Sequence, residues 1–179
     1  MKPIGIVRTP YDRDAPYQPV PDAEGTFVLE LEPQYVAGLE GLASFRYAYV
    51  VYACDRLRGP RAMVVHPPWT PEGFHVGVFA SRSPARPNPI GISIVEVRRV
   101  EGHRVHTSGL DAFDGTPLLD IKPYIASLDV RDDANRGWVD TLPDDGHLDL
   151  HIRGGWTAIV MSAWLLRHRR RVSRTTSIQ

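Results

Sequence analysis

FASRSPARPNPIGIS, residues 79–93, decides how this chain of 179 residues is read. It carries three prolines, two arginines, one asparagine and one glycine between apolar, strand-like flanks. Proline fixes φ and has no backbone donor, so Pro84, Pro87 and Pro89 exclude a helix and keep ladder pairing away from the segment. The chain between Ala80 and Ile90 is therefore predicted to be a stiff loop. On a rigid base, Arg82 and Arg86 can each meet an anion or carboxylate with little further loss of entropy. Asn88 sits between two prolines, where the backbone is restricted toward extended conformations and the side-chain amide is presented. Gly91 opens the strand GISIVEV at a point where another backbone or a ligand can come close. Taken alone, the loop also reads as a proline-rich surface connection.

Outward from this loop the chain reads as short strands. Lys2–Thr9 and Gly25–Leu31 alternate, with Phe27, Leu29 and Leu31 on one face. Phe45–Cys54 is rich in aromatic and β-branched residues and is predicted as a central strand. Its Phe45, Tyr47, Tyr49 and Val51 share a face that is either half-buried core or a stacking platform for a base. Phe74–Ala80 delivers the proline-rich loop, and Ile90–Val100 with His103–Leu110 forms a hairpin turning at Glu101-Gly102. Pro33–Leu42 carries Tyr35, Leu39 and Leu42 at helical spacing and is predicted as a short helix, broken near Gly38 and Gly41. Asp12–Asp22 and Gly59–Gly73 read as loops, the second with a strand-like Ala62–Val65 inside it. Strands at such intervals, without a βαβ repeat, predict a mainly β fold: an antiparallel single-sheet barrel with a few short helices and a C-terminal helix. No GxGxxG follows the first strand, so nucleotide binding cannot be argued from that fingerprint.

Composition narrows the chemistry. A chain of this length buries about 70% of its unfolded surface, enough for a real core. Lys+Arg and Asp+Glu are 21 each, so net charge gives no hint of a polyanion partner. The lone Cys54 lies in an apolar run, which fits packing and a reducing compartment. No stretch has the length of a signal peptide's apolar core or of a membrane span, and a cytoplasmic location without membrane attachment is expected. The histidines show no metal-ligand spacing, and no metal is expected. Ser81, Ser83 and Ser93 lack the G-x-S-x-G setting of a hydrolase.

A second stretch, LDAFDGTPLLDIKPY at 110–124, has a tight-turn signal at Asp114-Gly115 and returns as a strand from Leu118 to Tyr124. Together with GIVRTPY at 5–11, the two motifs closely resemble the TrmO (YaeB, VirR-like) family of S-adenosylmethionine-dependent tRNA methyltransferases. The resemblance covers roughly residues 1–125. It implies a homodimeric barrel that uses S-adenosylmethionine to methylate N6 of threonylcarbamoyladenosine beside the anticodon of tRNA. It further implies that Tyr17, Gln18, Pro19 and Val20 reach the cofactor and that Arg82 clamps it. Asp55-Arg56 corresponds to a polar pair near the cofactor, although relatives tend to carry a histidine there. Such a ligand needs backbone acceptors, a polar clamp and an apolar slot. Ala112, Phe113, Asp114 and Gly115 offer backbone groups, Phe113 a cover for adenine, and Ile92 a slot wall. Methyl transfer relies mainly on proximity and orientation, with a group to take up the proton. Asp114, Asp120 and Tyr124 are candidates for that group, while Asn88 and Lys122 are expected to position the acceptor. Asp120 and Lys122 read equally as a cross-strand ion pair. Two other functions fit the same motifs: a methyltransferase with another acceptor, and a non-catalytic barrel that binds S-adenosylmethionine as a sensor or interaction module.

After Tyr124 the resemblance fades. We expect residues 1–130 to form the methyltransferase-like barrel and residues 131–179 an acidic loop with a basic C-terminal helix, packed on or extending the domain. Residues 132–149 hold six aspartates and one arginine, and residues 151–179 six arginines and no acid. Trp156–Arg167 is read as a helix with one broad apolar face, followed by Arg169, Arg170 and Arg171. That basic end suits a packed or dimer-forming helix, a phosphate-binding arm for tRNA, or a membrane-surface element.

Overall fold

The computed structural model describes residues 1–57, 61–68, 70–142 and 155–157. Among these residues the short alternating runs form ten strands. They are β1 (Gly5–Arg8), β2 (Asp14–Pro16), β3 (Val28–Leu31), β4 (Tyr47–Ala53), β5 (Val64–Val65), β6 (Val76–Gly77), β7 (Ile90–Glu101), β8 (Arg104–Thr107), β9 (Pro117–Pro123) and β10 (Gly155–Thr157). Six of them pair antiparallel in the order β1, β3, β8, β7, β4, β9, and β9 pairs back onto β1. The sheet therefore closes into a barrel, which leaves the six strands without an open edge.

Alternation sets what fills it. Val7, Leu29, Leu31, Ala48, Val50, Tyr52, Val95, Val105 and Leu118 turn inward and form one buried cluster, joined by Phe27, Leu39, Leu42, Leu110 and Ala112. In β4 the inward residues are Ala48, Val50 and Tyr52. Tyr47 and Tyr49 take the outer side, where their rings lie 6.3 Å and 5.6 Å from that of Tyr124. The tyrosine face is thus an outer cluster rather than core.

Several elements differ from expectation for local reasons. The predicted helix at 33–42 is a 3₁₀ segment, Pro33–Leu39, followed by a second at Leu42–Ser44. Gly41 separates them with φ of 80°, a conformation that no helix continues through, while Leu39 and Leu42 still bury. The strand expected over 74–80 shrinks to β6, because the chain bends through a 3₁₀ turn at Val78–Ala80 to enter the proline-rich loop. β6 pairs with β5 inside the expected loop, and the loop over 12–22 contains β2. β2 pairs with β10, so the helix expected from Trp156 to Arg167 begins instead as a strand. The rest of that segment, with Arg169, Arg170 and Arg171, lies outside the described residues. The turn at Gly102 stands as read, with φ of 57° between β7 and β8.

Beyond β9 a short helix, α1 (Ala126–Asp129), and a 3₁₀ turn at Gly137–Thr141 follow. The indole Nε1 of Trp138 donates to the carbonyl of Ala80 at 2.7 Å, and its ring lies 5.2 Å from that of Phe74. This segment therefore rests on the start of the proline-rich loop. No helix among the described residues is long and apolar enough to cross a membrane.

Outside the barrel, Glu30 on β3 accepts from Arg8 on β1 at 3.1 Å and from Arg104 on β8 at 2.8 Å. These bonds hold its carboxyl at about 2, below the ordinary value. A depressed carboxylate contributes stability fully above its unfolded pKa and loses it as pH falls through the folded one. Comparing wild type with Glu30→Gln by chemical unfolding should show a stability gap that is constant above about pH 4.5 and closes toward about pH 2. A gap that does not change with pH would remove the ion pairs from the account.

Candidate active site

The proline-rich loop is braced from within. The amide of Ser83 donates to the hydroxyl of Ser81, and that of Ala85 to the hydroxyl of Ser83, at 3.3 and 3.2 Å. Arg86 turns inward, its Nη2 donating to the carbonyls of Val78 and Ser81 at 2.8 Å each. In this position it holds the loop's shape. Its buried Nε has no hydrogen-bond partner. Arg82 instead points outward and donates from Nη1 to Oε1 of Gln18 at 3.1 Å.

That bond joins the loop to the segment after β2, and between them opens a cleft. Tyr17, Gln18, Asp55, Arg56, Arg82, Ile92, Ala112 and Phe113 all line it, so eight of the expected cofactor residues meet in one place. Arg86 lines it too. Pro19, Val20, Asp114 and Gly115 do not line it. Val20 is held where the chain passes Gly109, whose missing Cβ would come within 1.9 Å of the Val20 carbonyl oxygen. Asn88 is exposed outside the cleft, with its carbonyl accepting from Ile90 at 2.8 Å.

The DGTP turn is tied to β1 and the residues after it. The amide of Asp114 donates to Tyr11 at 2.8 Å, that of Gly115 to Val7 at 2.9 Å, and the hydroxyl of Thr9 to the carbonyl of Ala112 at 2.9 Å. The Asp114 carboxylate faces Arg8 and the amide of Thr9, at 3.4 and 3.3 Å. Arg56 donates to the carbonyls of Asp114, at 2.6 Å, and of Asp12, and its guanidinium lies 4.9 Å from the centre of the Phe113 ring. The amides of Asp114 and Gly115 and the carbonyls of Ala112, Phe113 and Asp114 are therefore engaged within the protein. Ala112, Phe113 and Thr116 are the residues of this turn that line the cleft.

Asp120 and Lys122 stand elsewhere, on the outer side of β9, with Tyr124 just past its end against Tyr47 and Tyr49. Asp120 and Lys122 form an exposed ion pair of 2.8 Å along one strand, not across two. In register, Val51 of β4 lies between Ile92 on one side and Asp120 on the other. Ile92, half exposed at the cleft, thus connects it to this outer face.

The cleft also holds a cluster that sequence reading missed. Asp111 lines its wall, and Oδ1 accepts from Ser93 at 2.6 Å and from Tyr52 at 3.1 Å. Burial raises the Asp111 carboxyl, and the two hydroxyls and the charge of Arg82 partly offset it. Tyr52 reaches Asp111 because it lies across Gly91, its partner in the pairing of β4 and β7. A Cβ at Gly91 would fall 2.2 Å from the Tyr52 ring. The close approach that Gly91 permits is thus this side chain's. The signal was a pairing, visible only once the register of β4 and β7 is known. Cys54 also lines the cleft, but burial pushes its thiol up to about 11, so it is no thiolate at neutral pH. Among the described residues no three His, Cys, Asp or Glu side chains are grouped to hold a metal ion.

Residues 6–130 match the family model described as the tRNA-methyltransferase O N-terminal domain. A probable S-adenosyl-L-methionine-binding protein of Pyrococcus abyssi is 40% identical over 143 residues, covering 78% of this chain and 75% of that one. The tRNA (adenine(37)-N6)-methyltransferase of Escherichia coli K12 is 34% identical over 149 residues, covering 78% of this chain and 63% of the relative. The crystal structure of TrmO from Pseudomonas aeruginosa superposes with a TM-score of 0.61 at 34% identity, over 76% of this chain. This chain spans 60% of that one.

Placing Gly91→Ala in the barrel should force the Tyr52 ring aside and lower stability by about 1–3 kcal/mol, as overpacking does. Urea unfolding measures the loss. An unchanged midpoint would show that Tyr52 is not held against Gly91.

Proposed function

The chain belongs to the tRNA-methyltransferase O N-terminal domain family, and on that premise we propose that it is an S-adenosylmethionine-dependent methyltransferase acting on N6 of adenosine in tRNA. The specific acceptor of this reading is threonylcarbamoyladenosine at position 37, the position in the name of the E. coli relative. The observation that carries it is the cleft itself, where Arg82 of the stiff loop and Asp111, Ala112 and Phe113 of the second motif converge. The donor set fits such a ligand. Arg82, oriented by Gln18, suits the carboxylate of its amino acid end, and the buried, unpartnered Nε of Arg86 marks a further polar position. Phe113, backed by Arg56, gives an apolar face for adenine, and Ile92 borders the opening.

When bound, S-adenosylmethionine supplies an electrophilic methyl group on a sulfonium. The protein's part is to hold donor and acceptor in line and to exclude water, the main sources of acceleration for such a transfer. The acceptor base suits the outer face beside Ile92, where Tyr47, Tyr49 and Tyr124 offer aromatic surface and Lys122 a charge. Of the groups considered for the N6 proton, Asp120 and Tyr124 share this face, whereas Asp114 is engaged by Arg8 on β1. In this reading residues 1–130 carry the cofactor site, residues 131–179 add contacts, and a second copy completes a homodimer.

A methyl-transfer assay on bulk tRNA with labelled S-adenosylmethionine, followed by nucleoside analysis, tests the reading. It requires labelled N6-methyl product. Binding without turnover on any RNA would leave a cofactor-binding barrel instead. Arg82→Ala should abolish cofactor binding in a titration while the thermal melt stays within a few degrees of wild type, because the side chain is exposed. Unchanged affinity would move the site away from this loop.

A further inference from the structure

We propose that Asp111, fixed by Ser93 and Tyr52, supplies the negative charge that receives a cationic centre of the ligand in the cleft. The inference rests on the reading above that this ligand is S-adenosylmethionine. Asp111 lies deep in the wall yet opens into the cleft, and two neutral hydroxyls, those of Ser93 and Tyr52, both donate to its Oδ1. Among the described residues no lysine, arginine or histidine lies within salt-bridge distance of it. A carboxylate held in a low-dielectric wall without a bonded cation is costly to keep charged, and a cation brought alongside removes that cost. The surroundings select for the same thing. Gly91, Ala112 and Ile92 offer little that hydrates an ion, and Arg82, whose charge acts on Asp111 without an ion pair between them, lines the same cleft. A zwitterionic ligand is then oriented by two opposite poles: its carboxylate to Arg82, its positive centre to Asp111. The Tyr52 ring lying across Gly91 keeps the phenol aimed at Oδ1, so the carboxyl group is fixed in position before the ligand arrives.

Two centres of the ligand have this chemistry, the sulfonium and the α-ammonium, and three ligands separate them. S-adenosylmethionine has both, S-adenosylhomocysteine keeps only the ammonium, and methylthioadenosine has neither. Calorimetric titration of wild type and Asp111→Asn with each ligand is the test, with a thermal melt to confirm folding. We expect the variant to lose about tenfold or more in affinity for S-adenosylmethionine, the scale of one charged hydrogen bond or ion contact. If S-adenosylhomocysteine binding is spared, the sulfonium is the partner; if it falls equally while methylthioadenosine is spared, the ammonium is. Unchanged affinity for S-adenosylmethionine, or an equal loss for all three ligands, overturns the proposal. The wild-type protein gives a second reading that needs no variant: methylthioadenosine must bind more weakly than S-adenosylmethionine, and equal affinity also overturns it. Failure of wild type to bind any of the three would instead count against the methyltransferase reading.

Discussion

Tyr52 lying across Gly91 joins the barrel's construction to its cleft. The pairing of β4 with β7 runs from Tyr47 opposite Glu96 to Ala53 opposite Ile90, and it sets Tyr52 against Gly91. At that position the sheet must admit an aromatic ring flat against a strand, and any side chain there would collide with it. The ring fills the barrel's interior at one end while its hydroxyl reaches Asp111 at the other. Core packing and site geometry therefore share one residue pair. Disturbing the first shifts the second, since close-packed interiors transmit small displacements instead of absorbing them.

The proline-rich loop succeeds for a related reason. Prolines limit its conformations before folding, and the serine hydroxyls and Arg86 fix the conformation that remains. One arginine is used as an internal strut so that its neighbour, Arg82, can stand on a firm base and meet Gln18. Two identical residue types four positions apart thus take opposite roles, which composition alone does not separate. Trp138 adds a brace from later in the chain, bonding Ala80 where the loop begins.

Much of the barrel was legible because alternation is a local property. Phe27, Leu29 and Leu31 announce a buried face, and Glu101-Gly102 announces the turn between β7 and β8. What was not legible depends on partners distant in sequence. β2 exists because Gly155–Thr157 pairs with Asp14–Pro16, and nothing near either segment requires it. The gathering of Arg82, Gln18, Asp55 and Phe113 was anticipated from the family resemblance, since the motifs lie far apart in sequence. Asp111 went unread although Ala112 beside it was singled out. An aspartate between apolar residues points nowhere until the hydroxyls that orient it are known, and Ser93 and Tyr52 come from two other strands.

The second motif divides its residues between two sides of the sheet, and the division has a mechanical cause. Ala112 and Phe113 precede β9 and belong to the cleft, whereas Asp120 and Lys122, two apart on β9, project together from the outer side. The shift in the pairing of β4 with β9 falls between Val51 and Tyr52, where the strand passes from one environment to the other. Such an irregularity re-aims side chains without breaking the ladder. On the proposed reading, this is how fifteen consecutive residues serve two ligands: the segment before the strand shapes the donor's pocket, and the strand's outer row faces the acceptor. Ile92, facing Val51 across β4 and β7, is the point where the two surfaces meet. A bulkier or charged side chain at that point would separate donor from acceptor without touching the bonds that hold either surface in shape.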